Sequence, residues 1–541
     1  MSRRVGVLAL AAAALGAVLL GVPGEAEPTG GTVVLTDKGA VRGSDRAGYR
    51  EFLGVPFAAP PVGHLRWRSP VPRAPWAGIR DATTPGSWCA QHASSTGTPP
   101  SLDEDCLYLN VTVPDSAKPT RPKPVMVWLH GGGFIEGSGS EYDPRRMAVQ
   151  GDVVVVTVNY RLGVFGNFGH PDLPGSGAFG LEDQQAALRW VRRNANAFGG
   201  DAGNVTLFGQ SAGGQSVCAQ LAAPGAAGLF HRAAVQSAFC TKDIPANLIA
   251  PGLPSVPPWE KLAAVTDRAR RTAVELGCAD PADAPACLRR LPAERLMPVF
   301  TRFAGLSYGG RTLPENPYEM LKTGRTHQVP VLSGATRDEV TYMQALNDLA
   351  GRPLTAERYR EYLRAAFGTH ADAVAARYPL RDGEPPSRTW ATVATDDGEP
   401  PSRTWVTVAT DSGLACPTFD RNRLSARHVP TYAFEFADRT APPSLPDVGY
   451  PYDAYHSAET FYLFDIRTGN APPALNAEQR RLGDAMIASW TAFAHTGDPG
   501  WPRVHPDKPY TQSLAPGPGG IGPVDFATSH QCGFWSSTPV F

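Results

Sequence analysis

No charge of either sign dominates the 541-residue chain: 50 Lys and Arg stand against 51 Asp and Glu, a formal net charge of -1. Binding to phosphate backbones or anionic bilayers draws on a basic excess, so nucleic acid and anionic membrane surfaces are excluded as main partners. The eight cysteines include no CxxC pair and no Cys/His set at zinc-ligand spacing, and no HExxH occurs. A metal-dependent hydrolase therefore lacks its usual ligand pattern. Beyond the N-terminus there is no apolar run long enough to span a bilayer.

What is present begins with a targeting pattern. Arg3 and Arg4 precede an apolar run, Val5 to Val22, that ends in Pro23-Gly24, with small residues at Gly24 and Ala26. A membrane anchor is the alternative, but the run is short and its flanks favour cleavage, so residues 1–26 are expected to be a signal peptide. Export leads to an oxidising compartment, where paired cysteines outnumber free ones. Local spacing alone suggests Cys89 with Cys106 and Cys278 with Cys287; Cys416 and Cys532 are placed to tie a distant segment to the C-terminus. With 42% hydrophobic residues the chain has material for a large core, and its 56 Gly and 53 Pro, spread throughout, imply many ordered loops.

Strand and helix signals alternate. Val125–Leu129, Val153–Val158 and Asn204–Phe208 are short apolar runs of the kind that form strands buried on both faces. Between the last two, Leu181, Gln184, Ala187, Leu188 and Val191 share one helical face, making a strand–helix–strand unit of a parallel sheet. Residues 260–300 read as helical, with Leu262, Val265, Ala269, Val274 and Leu276 as core positions. Leu482, Met486, Ile487, Trp490 and Phe493 form a second such stripe. Residues 382–396 and 397–411 are a tandem repeat differing only at Ala391 and Val406. Two copies do not make a solenoid, so 382–411 is expected as a recent duplication with a copy bulging as a surface loop.

Gly209-Gln210-Ser211-Ala212-Gly213 is a GxSxG pattern between a predicted strand and a helix-like segment, 214–221. A nucleophile at such a turn needs small neighbours, because its backbone is strained and flanking chains pass close by. His130-Gly131-Gly132-Gly133-Phe134 follows another predicted strand, where backbone N–H groups can point at a ligand. Gly132, Gly133 and Ala212 are the expected oxyanion donors. A serine hydroxyl needs a base, and the base an acid. Eight histidines follow Ser211: 231, 327, 370, 428, 456, 495, 505 and 530. His456 stands out as a loop residue just before a packed apolar element, and Asp338 or Glu339 as an acid at a strand end.

These motifs together resemble the type-B carboxylesterases, the family of the cholinesterases and bacterial para-nitrobenzyl esterases. The similar stretches run from Phe52 to Trp535: Phe52–Gly63, Glu104–Asn110, His130–Phe134, Asn159–Gly163, Asp183-Gln184 and Phe198–Asp201, before the GxSxG. The resemblance implies an α/β-hydrolase fold with a large, mostly parallel sheet, residues 27–541 as one domain, and secreted ester hydrolysis without a cofactor or metal. It implies Ser211 as nucleophile, His456 as base and Glu339 as acid, with Glu459 three residues past the histidine. It implies the pairs Cys89–Cys106, Cys278–Cys287 and Cys416–Cys532, and an ion pair between Arg66 and Glu104. The substrate is expected to be a small-molecule ester, with no stable membrane insertion after cleavage; the oligomeric state is not encoded legibly. Alternatives within the resemblance are a lipase or amidase, or a catalytically silent binding member.

The chain departs from the family at several points. Gln210 stands where relatives usually carry Glu. Residues 90–105 contain no Trp, so no choline preference is expected. Ala238 replaces a family Gly after Gln236-Ser237; Ser237 is read either as a support for the three residues or as a buried hydroxyl. Cys218 and Cys240 have no family partners and are expected to be thiols rather than a fourth bridge. The pocket walls are expected from 240–330 and the region around the duplication.

Overall fold

The computed structural model describes residues 33–538 apart from 95–96, 249–251, 282, 381–400 and 468–470. The expected signal peptide lies outside the described residues. An 11-stranded sheet organises the rest. In chain order its strands are β1 (Ser44–Arg46), β2 (Tyr49–Pro56), β3 (Tyr108–Pro114), β4 (Lys123–Leu129), β5 (Val154–Val158), β6 (Gly200–Gln210), β7 (Arg232–Gln236), β8 (Val331–Thr336), β9 (Thr431–Phe436), β10 (Thr511–Leu514) and β11 (Ile521–Val524). Their spatial order is β11-β10-β9-β8-β7-β6-β4-β5-β3-β2-β1. The run from β5 through β10 is parallel, and antiparallel strands close both edges.

Continuous apolar runs become strands here because each feeds two layers. Along β4, Val125, Val127 and Leu129 enter one core while Met126 and Trp128 enter the other. Val154, Val156 and Val158 alternate in the same way with Val153 and Val155. Period-two alternation into two helix-covered faces is what a parallel sheet requires. The crossover from β5 to β6 runs through α1 (Phe179–Asn194), and all five positions of its expected stripe are buried. Then come α2 (Ala212–Ala222), α3 (Leu262–Glu275), α4 (Thr341–Leu349), α5 (Ala356–Phe367), α6 (Pro401–Thr410), α7 (Cys416–Ala426) and α8 (Ala477–Thr496) among the longer helices. The α8 stripe is buried as expected, and Asn476 and Gln479 form a capping box at its start.

Three expectations need correction. Residues 260–300 are not one helix: α3 ends at Glu275, and shorter helices span Ala284–Arg290 and Ala293–Leu296. Val265, Ala269, Thr272 and Ala273 make the buried face of α3, and Val274, one residue further round, is 60% exposed. The duplication is not a loop throughout. Its first copy lies outside the described residues, but residues 401–410 of the second form α6, where Trp405, Val406 and Val408 are buried against Tyr359 and Trp535. Finally, Cys218 and Cys240 are not thiols but a fourth disulfide, beside Cys89–Cys106, Cys278–Cys287 and Cys416–Cys532. Cys218 sits on α2 and Cys240 just beyond β7, so the bond ties the helix to the chain leaving the next strand. No helix among the described residues is long and apolar enough to cross a membrane.

Candidate active site

The carboxyl ends of the parallel strands converge. Register sets Leu129 beside Gly209 and Gln210 beside Gln236, so the chain leaves β4, β6 and β7 at one level. Ser211 follows β6 directly and holds φ 55° and ψ -122° before α2 begins. A side chain in that backbone region is strained, a cost that packing must offset. The Ser211 N–H donates to the Gln236 carbonyl at 3.0 Å, and its own carbonyl accepts from Gln215 at 2.8 Å. The neighbours have to be glycine. A Cβ on Gly209 would lie 2.6 Å from the Gly213 carbonyl, and one on Gly213 would overlap the Leu129 oxygen.

The glycine loop after β4 lies against this turn. Gly132, Gly133 and Phe134 all have positive φ, and the Ile135 and Glu136 N–H groups donate to the Gly132 carbonyl at 2.9 and 3.1 Å. His130 anchors the loop's start. Its ring stacks on Tyr160 at 4.3 Å, and the Tyr160 hydroxyl donates to its carbonyl at 2.6 Å. Burial pushes the imidazole down to about 4, so the ring is neutral at pH 7 and Nδ1–H donates to the Gly131 carbonyl at 2.8 Å. Gly132, Gly133, Ala212, Ser211 and His456 line one cavity of ≈ 640 Å³.

The structure separates the two candidate acids. Asp338 is turned to Arg439 at 2.8 Å and accepts the Ala454 N–H. Glu339, 1% exposed, places Oε2 2.5 Å from His456 Nδ1, while its Oε1 accepts the Thr336 N–H at 2.8 Å. Burial alone would lower the His456 pKa, but the Glu339 charge and hydrogen bond, with Glu459 beyond, carry it above its ordinary value. His456 Nε2 meets the Gln210 side-chain amide nitrogen at 3.2 Å rather than the Ser211 hydroxyl.

Glu459 is fully buried beneath the histidine. It accepts from Gln236 at 3.4 Å, and burial, with Glu339 second, pushes it up to about 7. Ser237, at φ 48°, buries a hydroxyl that makes no hydrogen bond, which favours the buried-hydroxyl reading over support of the three residues. Two other sequence motifs meet in bidentate ion pairs. Arg66 grips Glu104, and Arg161 Nε and Nη2 reach Asp183 at 2.7 Å, both partners buried. The second pair ties the chain after β5 to α1.

The cavity walls come partly from the expected region. Residues 239–258 supply Phe239, Ile244 and Val256. This segment hangs from α2 at both ends, through the Cys218–Cys240 bond and through Gln215 Nε2 donating to the Pro258 carbonyl at 2.5 Å. The described part of the duplication lines none of it; Tyr342 and Met343 of α4 and Phe461 take that side instead. Sequence reading also missed Glu136 and Glu141, carboxyl groups on the wall next to the glycine loop. Their signal was weak: both lie close after the HGGG run but belong to no quoted motif. Among the described residues no group of three or more His, Cys, Asp or Glu is placed to hold a metal ion.

The Carboxylesterase family model matches residues 30–516. The chain is 33% identical to para-nitrobenzyl esterase of Bacillus subtilis (strain 168) over 502 residues, covering 89% of this chain and 94% of that one. It is 33% identical to carboxylesterase 3 of Pongo abelii over 537 residues, covering 92% and 88%. A solved structure described as a thermophilic PNB esterase superposes with a TM-score of 0.73 at 30% identity, covering 93% of this chain and 99% of that one. The fold is accordingly that of the α/β-hydrolases, and the chain belongs to the carboxylesterase family.

Proposed function

We propose that the protein is a secreted serine hydrolase that cleaves carboxylic esters through an acyl-enzyme on Ser211. One observation carries this reading: a strained serine, a glycine loop and a buried Glu339–His456 pair all open onto the same cavity. The ester carbonyl enters between Ser211 and the loop. His456 Nε2 exchanges its Gln210 contact for the serine hydroxyl and takes the proton as Oγ attacks. Glu339 holds the ring in the tautomer with the proton on Nδ1 and stabilises the imidazolium that forms. The N–H groups of Gly132, Gly133 and Ala212 receive the negative oxygen; dipoles fixed by the backbone do this without reorganising. His456 then protonates the leaving alcohol, and water returns by the same route to release the acid. Export is supported by the N-terminal pattern and by the four disulfides.

Ser211→Ala tests the assignment. Turnover of a 4-nitrophenyl ester is expected to fall on the order of 10⁴–10⁶-fold with the melting temperature kept; turnover that survives the substitution overturns the reading.

A further inference from the structure

The cavity at Ser211 has an uneven charge. Its wall is largely apolar, yet two carboxyl groups, Glu136 and Glu141, face it, and no Lys or Arg is among the lining residues. Glu141 has a structural task, since its Oε2 accepts the Ser138 N–H at 2.9 Å in a capping box. Glu136 makes no such cap; it accepts a hydrogen bond from the Ser94 side chain. Its position is close to the chemistry. A Cβ placed on Gly132, an oxyanion donor in the proposed mechanism, would lie 2.8 Å from the Glu136 Cγ. The groups facing it are Glu141 and the phenols of Tyr142 and Tyr342, with His456 across the cavity.

We propose that Glu136 makes this cavity selective for esters bearing a protonated primary or secondary amine, whose N–H groups donate to its carboxylate. This rests on the esterase reading above and adds the charge of the substrate to it. Glu136 is only half-buried, but a carboxylate facing a wall without Lys or Arg is only partly compensated, and an ammonium group is its natural complement. Burial raises both carboxyls, and Glu136 further raises Glu141, so the pair repels itself when ionised and a bound ammonium relieves that repulsion. A quaternary ammonium cannot donate to the carboxylate. The absence of a Trp from residues 90–105 and the presence of Glu136 therefore both point away from quaternary ammonium esters.

The test uses three 4-nitrophenyl acyl esters of equal chain length, ending in ammonium, methyl or carboxylate. For the wild-type protein the kcat/KM ratio of ammonium to carboxylate ester is expected near 100, roughly tenfold for each charge relative to neutral. Glu136→Gln lowers that ratio about tenfold, and Glu136→Asp restores most of it. A wild-type ratio of one or below, or a ratio unmoved by Glu136→Gln, overturns the proposal. The methyl ester keeps the two failures apart: if Ser211→Ala still cleaves it, the esterase reading has failed, whereas Ser211-dependent cleavage with a flat charge ratio refutes only the role of Glu136.

Discussion

Two of the described buried histidines, His456 and His530, are hydrogen-bonded to carboxylates, and only one of them faces the cavity at Ser211. His456 is held at Nδ1 by Glu339 at 2.5 Å, and its Nε2 faces a neutral amide on a cavity wall. His530 is held at both nitrogens, by Asp411 at 2.6 Å and by Glu435 at 2.7 Å. Asp411 also accepts from the Tyr378 hydroxyl, which accepts in turn from Trp535 Nε1, each at 2.8 Å. Burial works against the charged ring in both places. At His530 the two carboxylates win outright and push its pKa up to about 9. A ring fixed between two anions is already a cation at neutral pH and cannot accept a further proton. A ring with one anion behind it and an open cavity ahead can. Serving as a base therefore depends on leaving one nitrogen without an ionic partner.

The sharpest way to break the comparison is to neutralise the carboxylate behind each ring. Glu339→Gln is expected to lower kcat about 10⁴-fold, because the amide no longer enforces the tautomer; steady-state turnover of a neutral ester reads it. Asp411→Asn leaves the chemistry to His456 and acts on stability instead, lowering it by about 3–5 kcal/mol because a buried charge set is broken; urea unfolding at pH 7 reads it. The sign of the pH effect follows. The folded protein holds the His530 proton up to about 9, above the ordinary value of ~6.5, so this contribution is full below pH ~6.5 and is lost as pH rises through about 9. Unfolding midpoints of the wild type should therefore converge on those of Asp411→Asn across that window; a constant gap contradicts the buried cation.

A finer test concerns the nitrogen left open. His456 has to be neutral to act, and its pKa lies above the ordinary value, so kcat/KM is expected to fall with acid from a correspondingly higher pH. Gln210→Glu puts an anion beside Nε2 in place of an amide. It should move that acid limb up by about 1 unit, the scale of a single nearby charge. Profiles that overlay would make Gln210 a bystander.

The two histidines also mark what was legible in the chain. The nucleophile turn was readable because strand, serine and helix are contiguous, from β6 through Ser211 to α2, and the glycine demands are local. The proposed base was only partly readable from its own residues. Eight histidines follow Ser211; local pattern made His456 a candidate and the family resemblance singled it out, but what sets it apart in the fold is a meeting with Glu339 across 117 residues. The same limit hid the fourth disulfide, since nothing near Cys218 or Cys240 tells that α2 packs beside the end of β7. It hid the packing of the duplication too. The two copies differ at one position, so local propensity cannot rank them. The second copy runs on through α6 and a π-helical turn into α7, and its last residue, Asp411, is the one that grips His530. The cavity walls come from segments scattered between Thr98 and Ile466, and their juxtaposition belongs to the fold rather than to any stretch of sequence.

The central claim is that Ser211 is the nucleophile and His456, not His530, its base. Reaction with a fluorophosphonate, read by intact mass and peptide mapping, tests it most directly. One adduct per chain is expected, on Ser211, formed rapidly by the wild type and by His530→Gln where that variant stays folded. No adduct is expected for Ser211→Ala, and labelling slowed by orders of magnitude for His456→Gln. An adduct on another residue, or wild-type labelling rates in His456→Gln, would contradict the claim.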